Sequence, residues 1–299
     1  MQVQPLHNNV VNFGAKADGK SDCTKAFLKA WESACTSQSP ATIYVPKGRY
    51  LLRNTNFRGP CKRKVTFLID GTLVAPEDYR ALGNSGYWIL FNHVENIVVS
   101  GGKLDAKGAA FWNCRRSGKG LPRWSKGMYM CAIFPMPMLL FLFINYKKLS
   151  NIGSLGKEMK EQGVENVTLT NAIFSGSDSG VRIKTWARPS KGFVRNVTFQ
   201  NIIMDNVENP IIIDQNYCPN NQGCPGQTSG IKSSQITYSN MNGTSATPEA
   251  VTFDCSPSSP CQGIKLQDIN LNFNDKIATS SCKNIEETSS GTLVPESCL

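Results

Sequence analysis

The chain has 299 residues, 40% of them apolar, enough to bury a continuous core in one large domain or two ordinary ones, which excludes a disordered chain. Thirty-two Lys and Arg against 22 Asp and Glu give a net charge of +10, pointing either to a polyanionic partner or to simple solubilising charge. Nucleic acid is excluded as the expected partner, because no basic run, glycine-rich phosphate loop or zinc-finger spacing occurs.

The opening MQVQPLHNNVVNFGAK has no cationic region followed by an apolar one, so no signal peptide is read there. TKAFLKAWESAC, which follows, carries most of the helical periodicity in the chain. Five later segments share a short extended core after a polar entry: ENIVVSGG, ENVTLTNA, RNVTFQNI, SSQITYSNM and QGIKLQDIN. Aligned on Ile97, Val167, Val197, Ile236 and Ile264, they lie 70, 30, 39 and 28 residues apart. Coil-sized spacing, β-branched alternation and Asn or Gly at the corners predict an all-β fold, a right-handed parallel β-helix, over a β-sandwich. The 70-residue interval has room for two to three coils, yet much of it is MYMCAIFPMPMLLFLFINYKK. Residues 128–144 form an uncharged run of 17, at the lower edge of a membrane span and broken by Pro135 and Pro137. A membrane segment, a buried strand pair and a replacement segment are the three readings; replacement is preferred, and no membrane partner is expected.

Further on, GVRIKTW places Arg182 and Lys184 two positions apart. In a strand both leave by one face, so the expectation is two cations on an open face with Ile183 inside the coil. Eleven cysteines include three close pairs, Cys218 with Cys224, Cys255 with Cys261 and Cys282 with Cys298, suited to short disulfide-closed loops. Sequons at Asn166, Asn196 and Asn242 agree with an oxidising, secretory route.

VVNFGAKADGKSDCTKAFLKAWESAC, ATIYVPKGRYLL, VTFLIDGTLVAP, NIGSLGK, GVRIKTW and NYCPNNQGCPGQTSGI together resemble plant polygalacturonases of glycoside hydrolase family 28. The match covers nearly everything outside residues 115–150, as a single domain over 1–299 with an atypical apolar insert at 128–144. The resemblance implies a secreted, cell-wall β-helix enzyme that hydrolyses α-1,4-galacturonosyl linkages of pectin with inversion. It also implies an acidic polysaccharide as partner, a monomer, and neither cofactor nor metal. Arg182 and Lys184 match the family's Arg-Ile-Lys motif, which holds the substrate carboxylate; a guanidinium fork and an ammonium point charge suit that task. Tyr217 falls at a substrate-contacting tyrosine of the family, with packing beside the Cys218 to Cys224 loop as the alternative.

Inverting hydrolysis needs an acid and a base about 6.5–9.5 Å apart. In the resembled family these come with Asn-Thr-Asp-Gly, Asp-Asp and Gly-His-Gly motifs, and none of the three is present, so no catalytic residue is assigned. The two histidines, His7 and His93, lie outside the matching stretch. Asp205 and Asp214 follow the Arg-Ile-Lys strand, where the family has no catalytic acid, and Asp178 reads as a corner residue. Among the remaining cysteines Cys35 and Cys61 are expected to bridge, with at least one thiol left over from Cys23, Cys114 and Cys131. The resulting expectation is a pectin-binding or pectin-acting family member with its hydrolytic machinery impaired. The rivals are a non-catalytic binder of acidic polysaccharide and a truncated product without stable function.

Overall fold

The computed structural model describes residues 6–82, 88–92, 94–105, 151–161, 163–176, 179–218 and 226–298. The apolar run at 128–144, His93, Cys114, Cys131, Asp178 and Cys224 lie outside the described residues. Ahead of the first long gap come β1 (Leu6–Asn9), β2 (Asp18–Asp22), α1 (Thr24–Cys35), β3 (Ala41–Val45), β4 (Arg49–Leu51), β5 (Thr55–Arg58), β6 (Val65–Val74), β7 (Ile89–Asn92) and β8 (Ile97–Asp105). After it come β9 (Asn151–Leu155), β10 (Val164–Ser175), β11 (Val181–Trp186), β12 (Phe193–Val207), β13 (Ile211–Tyr217), β14 (Lys232–Ser245), β15 (Glu249–Asp254), β16 (Cys261–Phe273), β17 (Lys276–Ile277), β18 (Thr279–Lys283) and β19 (Ile285–Val294).

Pairing is parallel along a large sheet ordered β1-β3-β6-β8-β10-β12-β14-β16, and along a second ordered β18-β15-β13-β11-β9. Each turn of chain from β10 onward lays one strand in each sheet, so the architecture is a right-handed parallel β-helix. Alternation drives it: in β3 Ala41, Ile43 and Val45 are buried while Thr42 and Tyr44 are half-exposed, the period of a strand with one face on the core. The repeat alignment read from the sequence is the register itself. Ile97 pairs with Val167, Val167 with Val197, Val197 with Ile236 and Ile236 with Ile264, and all five are buried.

Corners explain why asparagine recurs. Asn96, Asn166, Asn196 and Gln235, each one residue before an aligned core position, have φ between 51 and 57°. Asparagine tolerates this left-handed region better than most residues because its short amide can bond locally. Here the amides also bond from coil to coil: Asn201 Nδ2 donates to Asn171 Oδ1 at 3.1 Å, and Asn240 Nδ2 to Asn201 Oδ1 at 2.8 Å.

The 70 residues between Ile97 and Val167 add a single step to the large sheet, because β8 pairs directly with β10. A parallel ladder aligns its neighbours by register, whatever the length of chain between them. The second sheet behaves differently. It ends at β9, while β5 and β7 pair only with each other among the described strands.

Helix α1 buries Ala26, Phe27, Ala30, Trp31 and Ala34 at helical spacing and packs against β1, β3 and β5. Trp31 stacks among Phe57, Phe67 and Phe91 at 5.2–6.0 Å between ring centroids, and its Nε1 donates to the Arg58 carbonyl. Disulfides join Cys35 to Cys61, Cys255 to Cys261 and Cys282 to Cys298, the expected pairs. Cys218 is also disulfide-bonded, and Cys23 is a buried free thiol whose pKa burial pushes up. Towards the C-terminus Tyr238 stacks on Phe199 at 5.3 Å and lies 5.9 Å from Phe253, fully buried, with no partner for its hydroxyl. A buried hydroxyl without a hydrogen bond opposes folding. Tyr238→Phe is therefore expected to raise unfolding stability by about 1 kcal/mol in a denaturant titration, and a loss of stability would contradict it.

Candidate functional site

Strand β11 carries the cation pair. Val181, Ile183 and Thr185 face inward, and the Thr185 hydroxyl meets that of Ser229 at 2.8 Å, so the strand's phase is locked from inside. Arg182 and Lys184 leave by the opposite face, as strand alternation requires. Ile183 is fully buried, as expected. The open face is not found. Lys184 is only 6% exposed, and the Arg182 side chain 13%.

Cross-coil neighbours account for the covering. Tyr217, at the end of β13, lies in register with Trp186 and meets its ring edge-on at 5.5 Å. The Lys184 ammonium sits 4.2 Å from the centre of the Tyr217 ring, and the Arg182 guanidinium 5.7 Å from it. Cation and aromatic face attract each other most when water is excluded from between them. Burial raises the Tyr217 phenol pKa; the Arg182 charge lowers it and the Asp214 charge raises it. The ring thus packs against both cations and Trp186.

Asp214 is the residue that sequence reasoning set aside. It lies in register with Lys184 on the next strand, and its Oδ2 accepts from Arg182 Nη2 at 2.5 Å while its Oδ1 accepts the Asn216 backbone N–H at 3.1 Å. With one edge of the guanidinium fixed, Arg182 Nε remains buried without an acceptor. Most buried polar groups are satisfied, so this donor marks a place where an acceptor would be stabilised. Beyond Asp214, Asp254 on β15 receives Asn216 Nδ2 at 2.9 Å and stands 3.8 Å from Lys283 on β18. Of the other carboxylates considered, Asp205 is on the large sheet, where its Oδ2 accepts from Ser175 at 2.6 Å, remote in topology from β11. His7, on β1, belongs to the first strand of that same sheet.

The face therefore sets two cations and a buried, unpartnered guanidinium N–H beside a carboxylate and an aromatic ring. A polygalacturonase from Prunus persica is 42% identical over 371 aligned positions, covering 99% of this chain and 94% of that protein. A polygalacturonase from Gossypium hirsutum is 33% identical, covering 97% and 89%. Among solved structures, endo-xylogalacturonan hydrolase from Aspergillus tubingensis aligns over 95% of this chain and 100% of that one, at 17% identity and a TM-score of 0.45, too loose a likeness to carry an argument. The first alignment has 371 positions and this chain 299 residues, so at least 72 positions have no residue here. The family profile described as Glycosyl hydrolases family 28 matches residues 35–128 and 149–293, pausing across most of the apolar run. With 239 of 299 residues inside that profile and such identity to plant relatives over nearly its whole length, the chain belongs to glycosyl hydrolases family 28.

Proposed function

We propose that this chain binds the galacturonate carboxylates of pectin through Arg182 and Lys184, with Tyr217 beneath them, and that it does not hydrolyse the polymer. The observation that carries the reading is Arg182 itself, braced on one side by Asp214 and left with a buried, unpartnered Nε beside the Lys184 ammonium. Relatives named polygalacturonase supply the substrate class. Loss of hydrolysis is inferred from the absent acid and base motifs and from the unmatched positions, which we place at the coils that ought to precede β9. A secreted, cell-wall location follows from the same kinship and from four disulfide-bonded positions in the C-terminal third besides Cys218. No helix among the described residues is long and apolar enough to cross a membrane.

Calorimetric titration with oligogalacturonate and with a neutral oligosaccharide of equal length tests the binding. We expect weak affinity for the acidic ligand that falls as salt rises, since screened charges do the holding. Equal affinity for the neutral sugar would overturn the clamp. A second reading, a truncated product without stable function, is favoured by the second sheet's ending at β9, with β5 and β7 apart from it among the described strands. A single cooperative unfolding transition would set that reading aside.

A further inference from the structure

Lys184, Asp214, Asp254 and Lys283 form one unbroken row, each in register with the next across β11, β13, β15 and β18. In-register positions of parallel strands face the same side, so the row reads plus, minus, minus, plus over about 14 Å at the usual strand spacing. The row inside it, Ile183, Ile213, Phe253 and Cys282, turns the other way, and its first three residues are buried. The two carboxylates differ in how far they are neutralised. Asp214 is tied to Arg182, and both side chains are largely covered. Asp254 is 32% exposed, takes a neutral amide from Asn216, and has Lys283 at 3.8 Å with a side chain 68% exposed. So open an ion pair compensates little. Asp254 is therefore the less compensated of the two carboxylates, two strands from the cations.

We propose that this row selects its ligand by charge pattern. A polyuronate lying across the strands, one unit ionised at Arg182 and Lys184, passes next over β13 and β15, where a second free carboxylate meets Asp214 and Asp254. A methyl-esterified unit carries no charge and meets no such repulsion. The preferred ligand is then a partly esterified acidic polysaccharide, ionised at the clamp and neutral in the units above β13 and β15, with Lys283 able to take a further carboxylate beyond them. The inference rests on the clamp reading above.

The test uses the full chain and three ligands: monomeric galacturonate, fully ionised tetragalacturonate, and the same tetramer with its two interior units methyl-esterified. Wild type is expected to bind the esterified tetramer more tightly than the ionised one. Asp254→Asn, which keeps an oxygen for Asn216 Nδ2, is expected to tighten the ionised tetramer roughly fourfold, the repulsion of two like charges about 5 Å apart in water. Monomer affinity should not move, and Asp254→Ala should act in the same direction. If monomer binding depends on Arg182 and Lys184 but the ratio between tetramers is unchanged by either variant, the charge row is wrong and the clamp stands. If wild type prefers the ionised tetramer, the row is likewise wrong. If the monomer does not bind, or binds equally well to Arg182→Ala, the clamp fails and the charge row falls with it.

Discussion

Incubated with polygalacturonate at any pH between about 4 and 7, the range in which a carboxylate pair can divide the acid and base roles, the chain is expected to release no reducing ends above a buffer control. The reason is the absence of the acid and base motifs and not a matter of pKa. Inversion needs one carboxyl group on each side of the scissile bond with room for water between them. Asp214 and Asp254, in register on adjacent parallel strands, both follow the Arg-Ile-Lys strand and belong to none of those motifs. Asp214 is moreover engaged by Arg182. Turnover that survives repurification and disappears in Asp214→Asn or Asp254→Asn would show that the pair is chemical after all.

Arg182→Ala combined with Lys184→Ala is expected to abolish measurable galacturonate binding. A hydrogen bond to a charged group contributes about 1.5–3 kcal/mol, so losing two leaves little of an affinity that is weak to begin with. The fold should survive, because Ile183 and Thr185 hold β11 from inside and neither is touched. Asp214 loses its counter-ion in that variant, and thermal unfolding must be followed alongside. Arg182→Lys offers the milder comparison: it keeps the charge beside Asp214 and removes the fork, so binding should weaken while stability holds. Undiminished binding by the double variant would mean that the +10 surface retains the polymer without a defined site.

Much of the solenoid was legible because its physics is periodic. Choosing Ile97, Val167, Val197, Ile236 and Ile264 as equivalent amounted to reading the ladder, since each fills the same inward position one turn further on. The site was legible only along one strand. Alternation gave the common direction of Arg182 and Lys184, but their burial depends on Tyr217 and Asp214, about 30 residues away on the next turn. That neighbourhood did leave a trace. From Lys184 to Asp214, Asp254 and Lys283 the steps are 30, 40 and 29 residues, against 30, 39 and 28 for the aligned core positions from Val167 onward. Applying the coil period to charged residues as well as apolar ones would have found the whole row.

The direct pairing of β8 with β10 bears on how such a protein tolerates loss. In a stack where each layer touches only the layers above and below, removing an internal layer presents the two exposed faces with the same ladder they had before, and they can zip together again. A sandwich or a barrel has no equivalent, because every strand there closes a shared perimeter. Chemistry that resides on one or two layers can therefore be excised from a solenoid without erasing the recognition surface on the layers that follow. Loss by whole turns is thus a route by which a solenoid could part holding a polymer from cutting it.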